Sequence, residues 1–238
     1  MIDYRHRSYQ KEFLDRDDIP FEDIRQNMKE LNFINTYLGG HSITIAGFKN
    51  LLGKKKFTSV CEIGCGGGDN LNAIYNWSKK NKVKIKFTGV DVNGNCIAYA
   101  TTKSQIEDVS FIVSDYKLVD FGTDKPEIIF ASLFCHHFTD EDLIQMMKWM
   151  KANSNLGFFI NDLHRHPIAY HFIKITSKLF SSSYLVKNDA PLSVLRGFKK
   201  QDWKNILLQA GITNYTIQWK WAFRWLLATC PPKGKLRS

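Results

Sequence analysis

The stretch Thr58-Ser59-Val60-Cys61-Glu62-Ile63-Gly64-Cys65-Gly66-Gly67-Gly68-Asp69 decides the fold. An apolar run of strand composition breaks into glycines and continues as a helical pattern from Asn70 to Lys80. A strand that passes through a glycine-rich turn into a helix start makes a nucleotide-type pocket. Glycine adopts positive φ and lets a ligand touch the backbone, and the helix start offers free N–H groups and a partial positive charge. The spacing separates ligands. A dinucleotide fold asks for G-x-G-x-x-G, and a P-loop ends in G-K-[ST]. Here Gly64, Gly66 and Gly68 give G-x-G-x-G, Asp69 stands where the third dinucleotide glycine would fall, and Gly68-Asp69-Asn70 carries no lysine.

Working outward, Glu62 lies two residues before the first glycine, and a second strand-like run, Lys84 to Val90, ends in Asp91. A carboxylate there can accept both hydroxyls of a ribose. Glu62-Ile63-Gly64-Cys65-Gly66-Gly67-Gly68 followed by Gly89-Val90-Asp91-Val92 resembles the class I S-adenosylmethionine-dependent methyltransferases, over about Phe57 to Cys230. The resemblance implies S-adenosyl-L-methionine as cofactor and S-adenosyl-L-homocysteine as product. It sets Glu62, Gly64, Cys65, Gly66, Gly68 and Asn70 around the methionine part, and Asp91 and Val92 at the ribose. A third signal, Val109 to Tyr116, is similar to the family's adenine-reading segment, which gives Ser114, Asp115 and Tyr116 to the cofactor and the amino group to Asp115.

At 238 residues the chain is expected to be one domain with additions. No apolar run reaches the ~18 residues of a membrane span, and Met1-Ile2-Asp3-Tyr4-Arg5-His6-Arg7 lacks a signal core. Cys61, Cys65, Cys96, Cys135 and Cys230 form no C-x-x-C pair and read as reduced thiols of a cytoplasmic protein. The net charge of +10 permits nucleic acid or an anionic membrane as partner. The lysines are scattered, however, and the tight runs Lys54-Lys55-Lys56 and Lys79-Lys80 sit at helix ends, where they oppose the dipole's negative pole.

In chain order, residues 1–20 read as a charged arm or short helix, with Asp15, Asp17 and Asp18 before Pro20. Ile24, Met28, Leu31, Ile34 and Leu38 share one face of a helix ended by Gly39-Gly40, and Ser42 is placed to cap a second helix to Gly53. Asn35, Gly39, Gly40 and His41 fall where this cover would bend. Strands near 58–63, 84–91, 109–113, 127–132 and 156–161 then alternate with helices near 70–80, 94–104 and 140–152 and a short element near 116–120, the pattern of a parallel sheet. Thr139 to Asp142 is a capping box before the stripe Leu143, Met146, Met147 and Met150. The alternation is interrupted from Asn161 to Gly197. Pro167 opens a helix with Ile168, Phe172, Ile175 and Leu179 on one face, its Lys174 and Lys178 free to meet a membrane or acidic partner, and Tyr184 to Gly197 reads as a long loop. A helix 200–210 and strands near 212–219 and 222–229 follow, with a frayed tail from Pro231. The expected fold class is α/β: a seven-stranded, mostly parallel, Rossmann-like methyltransferase sheet with helices on both faces. An N-terminal helical cap (1–53) precedes the methyltransferase domain (54–238), and an insert (163–197) follows the fifth strand.

Ligands of open α/β sheets bind at the carboxyl ends of the strands. That puts Gly64, Asp91, Asp115, Ser132 and Asp162 on one rim. The resemblance gives Ser132 and the following Leu133-Phe134-Cys135-His136-His137-Phe138 to the methyl-donor end, beside the acceptor. A neutral imidazole there can take the proton of a phenol, whose pKa is near 10, as the oxygen attacks the methyl group. His137 is preferred, His136 is its neighbour, and His164 is a rival. Asn161-Asp162-Leu163-His164-Arg165-His166-Pro167 resembles a bacterial methyltransferase subfamily found beside polyketide synthase genes, which would put Asp162, Arg165 and His166 on the acceptor side. Arg196, in the long loop, joins them as a substrate contact. No spacing specifies a metal. The expected activity is methylation of a small aromatic or polyketide-derived acceptor at oxygen. An RNA or tRNA methyltransferase, a carbon methyltransferase of the quinone type and a binding protein without catalysis are the alternatives. The N/D-P-P-Y/F signature of amino methylation is absent after the fourth strand.

Overall fold

The computed structural model describes residues 2–16 and 18–230; the tail read as frayed lies outside them. Seven strands form one sheet in the order β3-β2-β1-β4-β5-β7-β6. These are β1 (Phe57–Ile63), β2 (Lys84–Asp91), β3 (Val109–Val113), β4 (Ile128–Ser132), β5 (Gly157–Leu163), β6 (Tyr215–Lys220) and β7 (Arg224–Thr229). The first five are parallel. β7 slides in antiparallel between β5 and β6, with Asn161 opposite Leu226. Strand order reverses between β1 and β4, which opens a crevice at their carboxyl ends.

β4 is buried throughout because it lies mid-sheet with helices on both faces. On one face Cys61, Ile129 and Phe158 pack with α5 (Asp140–Asn153) and α8 (Lys200–Gln209), whose Trp203, Ile206 and Leu207 are buried. The methionine stripe of α5 is fully buried, and Thr139 accepts from the Asp142 N–H as its cap. On the other face Val60, Phe130 and Phe159 pack with α2 (Gly40–Leu52), α3 (Asp69–Asn81) and α4 (Gly94–Lys103). Close approach there depends on Gly47, since a Cβ would lie 2.5 Å from the Phe159 ring.

Four local expectations change. The second helix starts at Gly40 behind a left-handed Gly39, so Ser42 sits in its first turn and its hydroxyl donates to the Gly39 carbonyl at 2.7 Å. α2 is also a core layer, with Phe48 and Leu51 fully buried under the sheet, so the cover proper is the arm and α1 (Phe21–Tyr37). Of the α1 stripe only Ile24 is buried; the others are half-buried cavity walls. Tyr184–Arg196, read as a loop, is helix α7, capped by Ser183 and carrying Pro191 inside it. The fourth change concerns α6 (Pro167–Phe180). Ile168, Phe172, Ile175 and Leu179 face outward, while Ala169, Tyr170 and Ser177 are buried. Helical periodicity defines a stripe but does not say which side meets the core.

Candidate active site

The glycine loop leaves β1 with Gly64, Gly66 and Gly68 all at positive φ. Gly64 is obligatory: a Cβ there would stand 2.2 Å from the Phe134 ring. Gly66 faces open space, and its N–H donates to Asp91 Oδ2 at 2.8 Å; Asn93 N–H donates to Oδ1 at 2.9 Å. Burial raises the Asp91 carboxyl above its ordinary pKa. A third backbone N–H, that of Val92, also serves the carboxylate, which leaves part of its acceptor capacity open. Glu62 is buried behind the loop, bonded to Asn70 Nδ2 at 3.0 Å, and its pKa is driven well up by burial. It braces the start of α3 and does not line the cleft.

The cleft over this loop is lined by Gly64, Cys65, Gly66, Asn70, Asp91, Val92 and Ser132 of the expected set. Gly68, Ser114, Asp115 and Tyr116 are not in its wall. Asp115 accepts from the Lys117 N–H, and Tyr116 turns inward onto Phe134, Phe138 and Trp149. The far wall adds Asn35, His41 and Asp69. Asp69 accepts from Asn35 (3.3 Å) and pairs with His41 (2.9 Å), and Arg224 donates to Asn35 (2.8 Å). Asn35 and His41 thus do stand over the loop, tied to Asp69.

After β4 the chain makes a 3-10 turn at Cys135–His137 that sets the two imidazoles side by side, ring centres 4.3 Å apart. Each ring has its own carboxylate. His136 Nδ1 lies 2.8 Å from Asp162 Oδ1, and His137 Nδ1 lies 2.7 Å from Asp15 Oδ1. Burial would raise Asp162, but His136 and the Leu163 N–H hold it below its ordinary value. Burial is likewise outweighed at Asp15 by His137 and Arg196. Ionised carboxylates only accept, so each neutral ring carries its proton on Nδ1 and presents the Nε2 lone pair.

A second, apolar cavity adjoins the cleft. Leu14, Asn27, Leu31, Leu133 and His137 line both spaces. Ile34, Leu38, Phe172 and Val186 line the cavity alone, as do His136 and Glu12. The Glu12 Oε1 is 3.8 Å from His136 Nε2. Glu12, His136 and His137 bring one ligand atom each within 4.8 Å of one another, a set able to hold a metal ion. The spacing of Asp162, His164 and His166 gave no such set. Arg196 Nε, 3.8 Å from the same Glu12 oxygen, is a cation already in place.

The remaining acceptor-side expectations line neither the cleft nor the apolar cavity. Arg165 is fully buried and donates to the carbonyls of Tyr4, Arg5 and Gly197 and to Asp202. Arg196 is buried and donates to the carbonyls of His136 (3.0 Å), His137 (2.8 Å) and Gln10 (3.1 Å) and to Asp15 (2.6 Å). Both arginines clamp the N-terminal arm, and Arg7 completes the clamp by stacking on Phe198 and pairing with Asp140. Asp162 spends both oxygens on Cys135 N–H, His136 and Leu163 N–H. His164 and His166 line a separate surface hollow. Burial, with His166 and Arg165 adding to it, lowers His164 to about 4, and its Nδ1 accepts from Trp219. The sequence gave no local sign of Glu12 as a site residue, nor of Asp15 as a histidine partner, since their partners lie more than a hundred residues away.

Burial lifts Glu12 from its ordinary 4.5 to about 7, against the pull of His137, Ser193 and Arg196. Between those values the unfolded chain releases the proton and the folded chain keeps it. Stability therefore falls as pH rises through this window and levels off above about 7, by up to about 3 kcal/mol. Glu12→Gln is expected to remove that slope, read as the difference between wild type and variant in urea unfolding at pH 5 and pH 7.5. Equal slopes would refute the assignment to Glu12.

Residues 60–155 match the family model described as a methyltransferase domain. Among solved structures, the chain resembles the plantazolicin methyltransferase BpumL in complex with SAH, at 17% identity and TM-score 0.66 over 90% of this chain and 91% of that one. Human N-acetylserotonin methyltransferase in complex with SAM is similar at 13% identity and TM-score 0.63, over 89% of this chain and 56% of that one. Magnesium protoporphyrin IX methyltransferase from Synechocystis PCC 6803 with bound SAH follows at 15% identity and TM-score 0.51, over 93% and 89%. These likenesses show the fold. A search of the curated proteins gave no match.

Proposed function

We propose that this S-adenosylmethionine-dependent methyltransferase methylates a small, largely apolar acceptor at a hydroxyl oxygen. The observation that carries the reading is His137, the titratable side chain that lines both the cleft and the apolar cavity. The cleft fits the cofactor: the Asp91 carboxylate lines it with acceptor capacity for a ribose hydroxyl, and the loop at Gly66 is open to a ligand. The cofactor supplies an electrophilic methyl group. His137 Nε2 takes the hydroxyl proton as the oxygen attacks, and Asp15 holds the ring in the required tautomer and steadies its charged form. His136, backed by Asp162, stands beside it as a second acceptor of hydrogen bonds. The arm, α1 and the 163–197 insert wall off the acceptor from water. Phenols and polyketide-derived aromatics suit walls such as Leu31, Ile34, Phe172 and Val186, and the similarity of Asn161–Pro167 to the polyketide-associated subfamily supports the same class.

The test is calorimetric titration with S-adenosylhomocysteine, followed by a screen of phenols with radiolabelled cofactor. Wild type is expected to bind at micromolar or tighter affinity, and Asp91→Ala at least tenfold more weakly, about 1.4 kcal/mol. No binding to well-folded wild type would remove the reading.

A further inference from the structure

Helix α6 is apolar on two sides. Its inner side, Ala169, Tyr170 and Ser177, is buried. Its outer side carries Ile168, Phe172, Ile175 and Leu179, spaced by four, three and four residues so that they form one stripe. These four side chains are between 44% and 68% exposed, and Phe180 at the helix end is 84% exposed. Lys174 and Lys178, one turn apart, border the stripe, with Lys174 leaning over the Tyr170 ring at 5.6 Å. The helix has no acidic residue. Phe172 belongs to the stripe and also lines the apolar cavity, so the stripe runs into the cavity mouth.

We propose that α6 lies on an anionic lipid bilayer, and that the acceptor is a hydrophobic hydroxyl compound dissolved in that bilayer which enters the cavity past Phe172. A helix with an exposed apolar stripe and lysines on its border suits a bilayer surface. The stripe enters the acyl boundary while the lysine stems extend and hold their ammonium groups at the headgroups. The charge of +10 draws the whole chain toward an anionic surface. A symmetric pairing of two copies through α6 would instead bring Lys174 and Lys178 of both copies to one seam, with no carboxylate on α6 to answer them. The entry route rests on the reading of the cavity as the acceptor site. Membrane binding does not, and it is measured without turnover.

The experiment is co-sedimentation with vesicles of phosphatidylcholine alone and of phosphatidylcholine mixed with phosphatidylglycerol, at low and high salt. Wild type is expected to partition onto the anionic vesicles and to leave them at high salt. Lys174→Gln with Lys178→Gln, and separately Ile175→Ser with Leu179→Ser, are expected to lower the partition constant at least tenfold. Both double variants should keep the wild-type melting temperature and S-adenosylhomocysteine affinity, which shows that fold and cofactor cleft are intact. Wild type that stays in the supernatant with both vesicles would overturn the proposal. So would a wild-type dimer in sedimentation velocity that Ile175→Ser with Leu179→Ser turns into a monomer, since a second copy would then cover the stripe.

Discussion

His137→Ala is expected to lower turnover by about 10²–10⁴, the range that a positioned proton acceptor contributes, or about 3–5 kcal/mol of barrier. The substitution removes a half-buried ring that bonds to Asp15 at 2.7 Å and borders both cavities. It removes no hydrogen bond to the glycine loop, so S-adenosylhomocysteine affinity should stay within a few-fold of wild type. That split separates a proton acceptor from a cofactor contact. Asp15→Asn should follow in the same direction with a smaller loss, since the ring stays but its tautomer is no longer held. The measurement is methyl transfer to the first phenol found in the screen, at saturating cofactor. Unchanged turnover in His137→Ala, with loss in His136→Ala, would move the role to the neighbouring ring.

The second large effect is on stability. Arg196→Ala is expected to cost about 3–5 kcal/mol, the range for removing one partner of a buried ion pair. Arg196 is 5% exposed and satisfies four acceptors, among them the carbonyls of both paired histidines, His136 and His137. Its removal leaves Asp15 and Glu12 without their nearby cation in a buried setting. For a chain of this size the melting temperature should drop by roughly 6–20 °C. Arg196→Lys keeps the charge but not the planar fork and should fall between the two. A melting temperature unchanged in Arg196→Ala would show that the arm is held elsewhere, with Arg7 and Arg165 the remaining clamps.

The sheet was legible because its signals are local. The strand before Gly64, the acid at Asp91 and the capping box at Thr139 each announce themselves within a few residues. The core side of the candidate site was legible for the same reason: Asp91, Ser132 and the His136-His137 pair follow strand ends. The other half was not. Glu12 and Asp15 meet the histidines across more than 120 residues of chain, and only the docked arm brings them there. Arg165 and Arg196 look like ligand contacts in sequence, because a cation near a pocket and a cation buried under an arm are the same letter. The outward stripe of α6 shows the same limit for apolar residues: spacing fixes which side chains share a face, and only packing fixes where that face points.

The docked arm also has a consequence for the order of events at the ribosome. The segment that carries Arg7, Glu12 and Asp15 leaves the exit tunnel before every residue that receives it, from His136 to Phe198. Its carboxylates and its buried arginine must wait in solvent while well over a hundred further residues are made, about ten seconds or more at bacterial or eukaryotic elongation speeds. Until then the nascent chain can build its sheet up to β4 but has no histidine pair for the arm to meet. Competence to bind the cofactor is therefore expected to emerge earlier in synthesis than competence to transfer its methyl group.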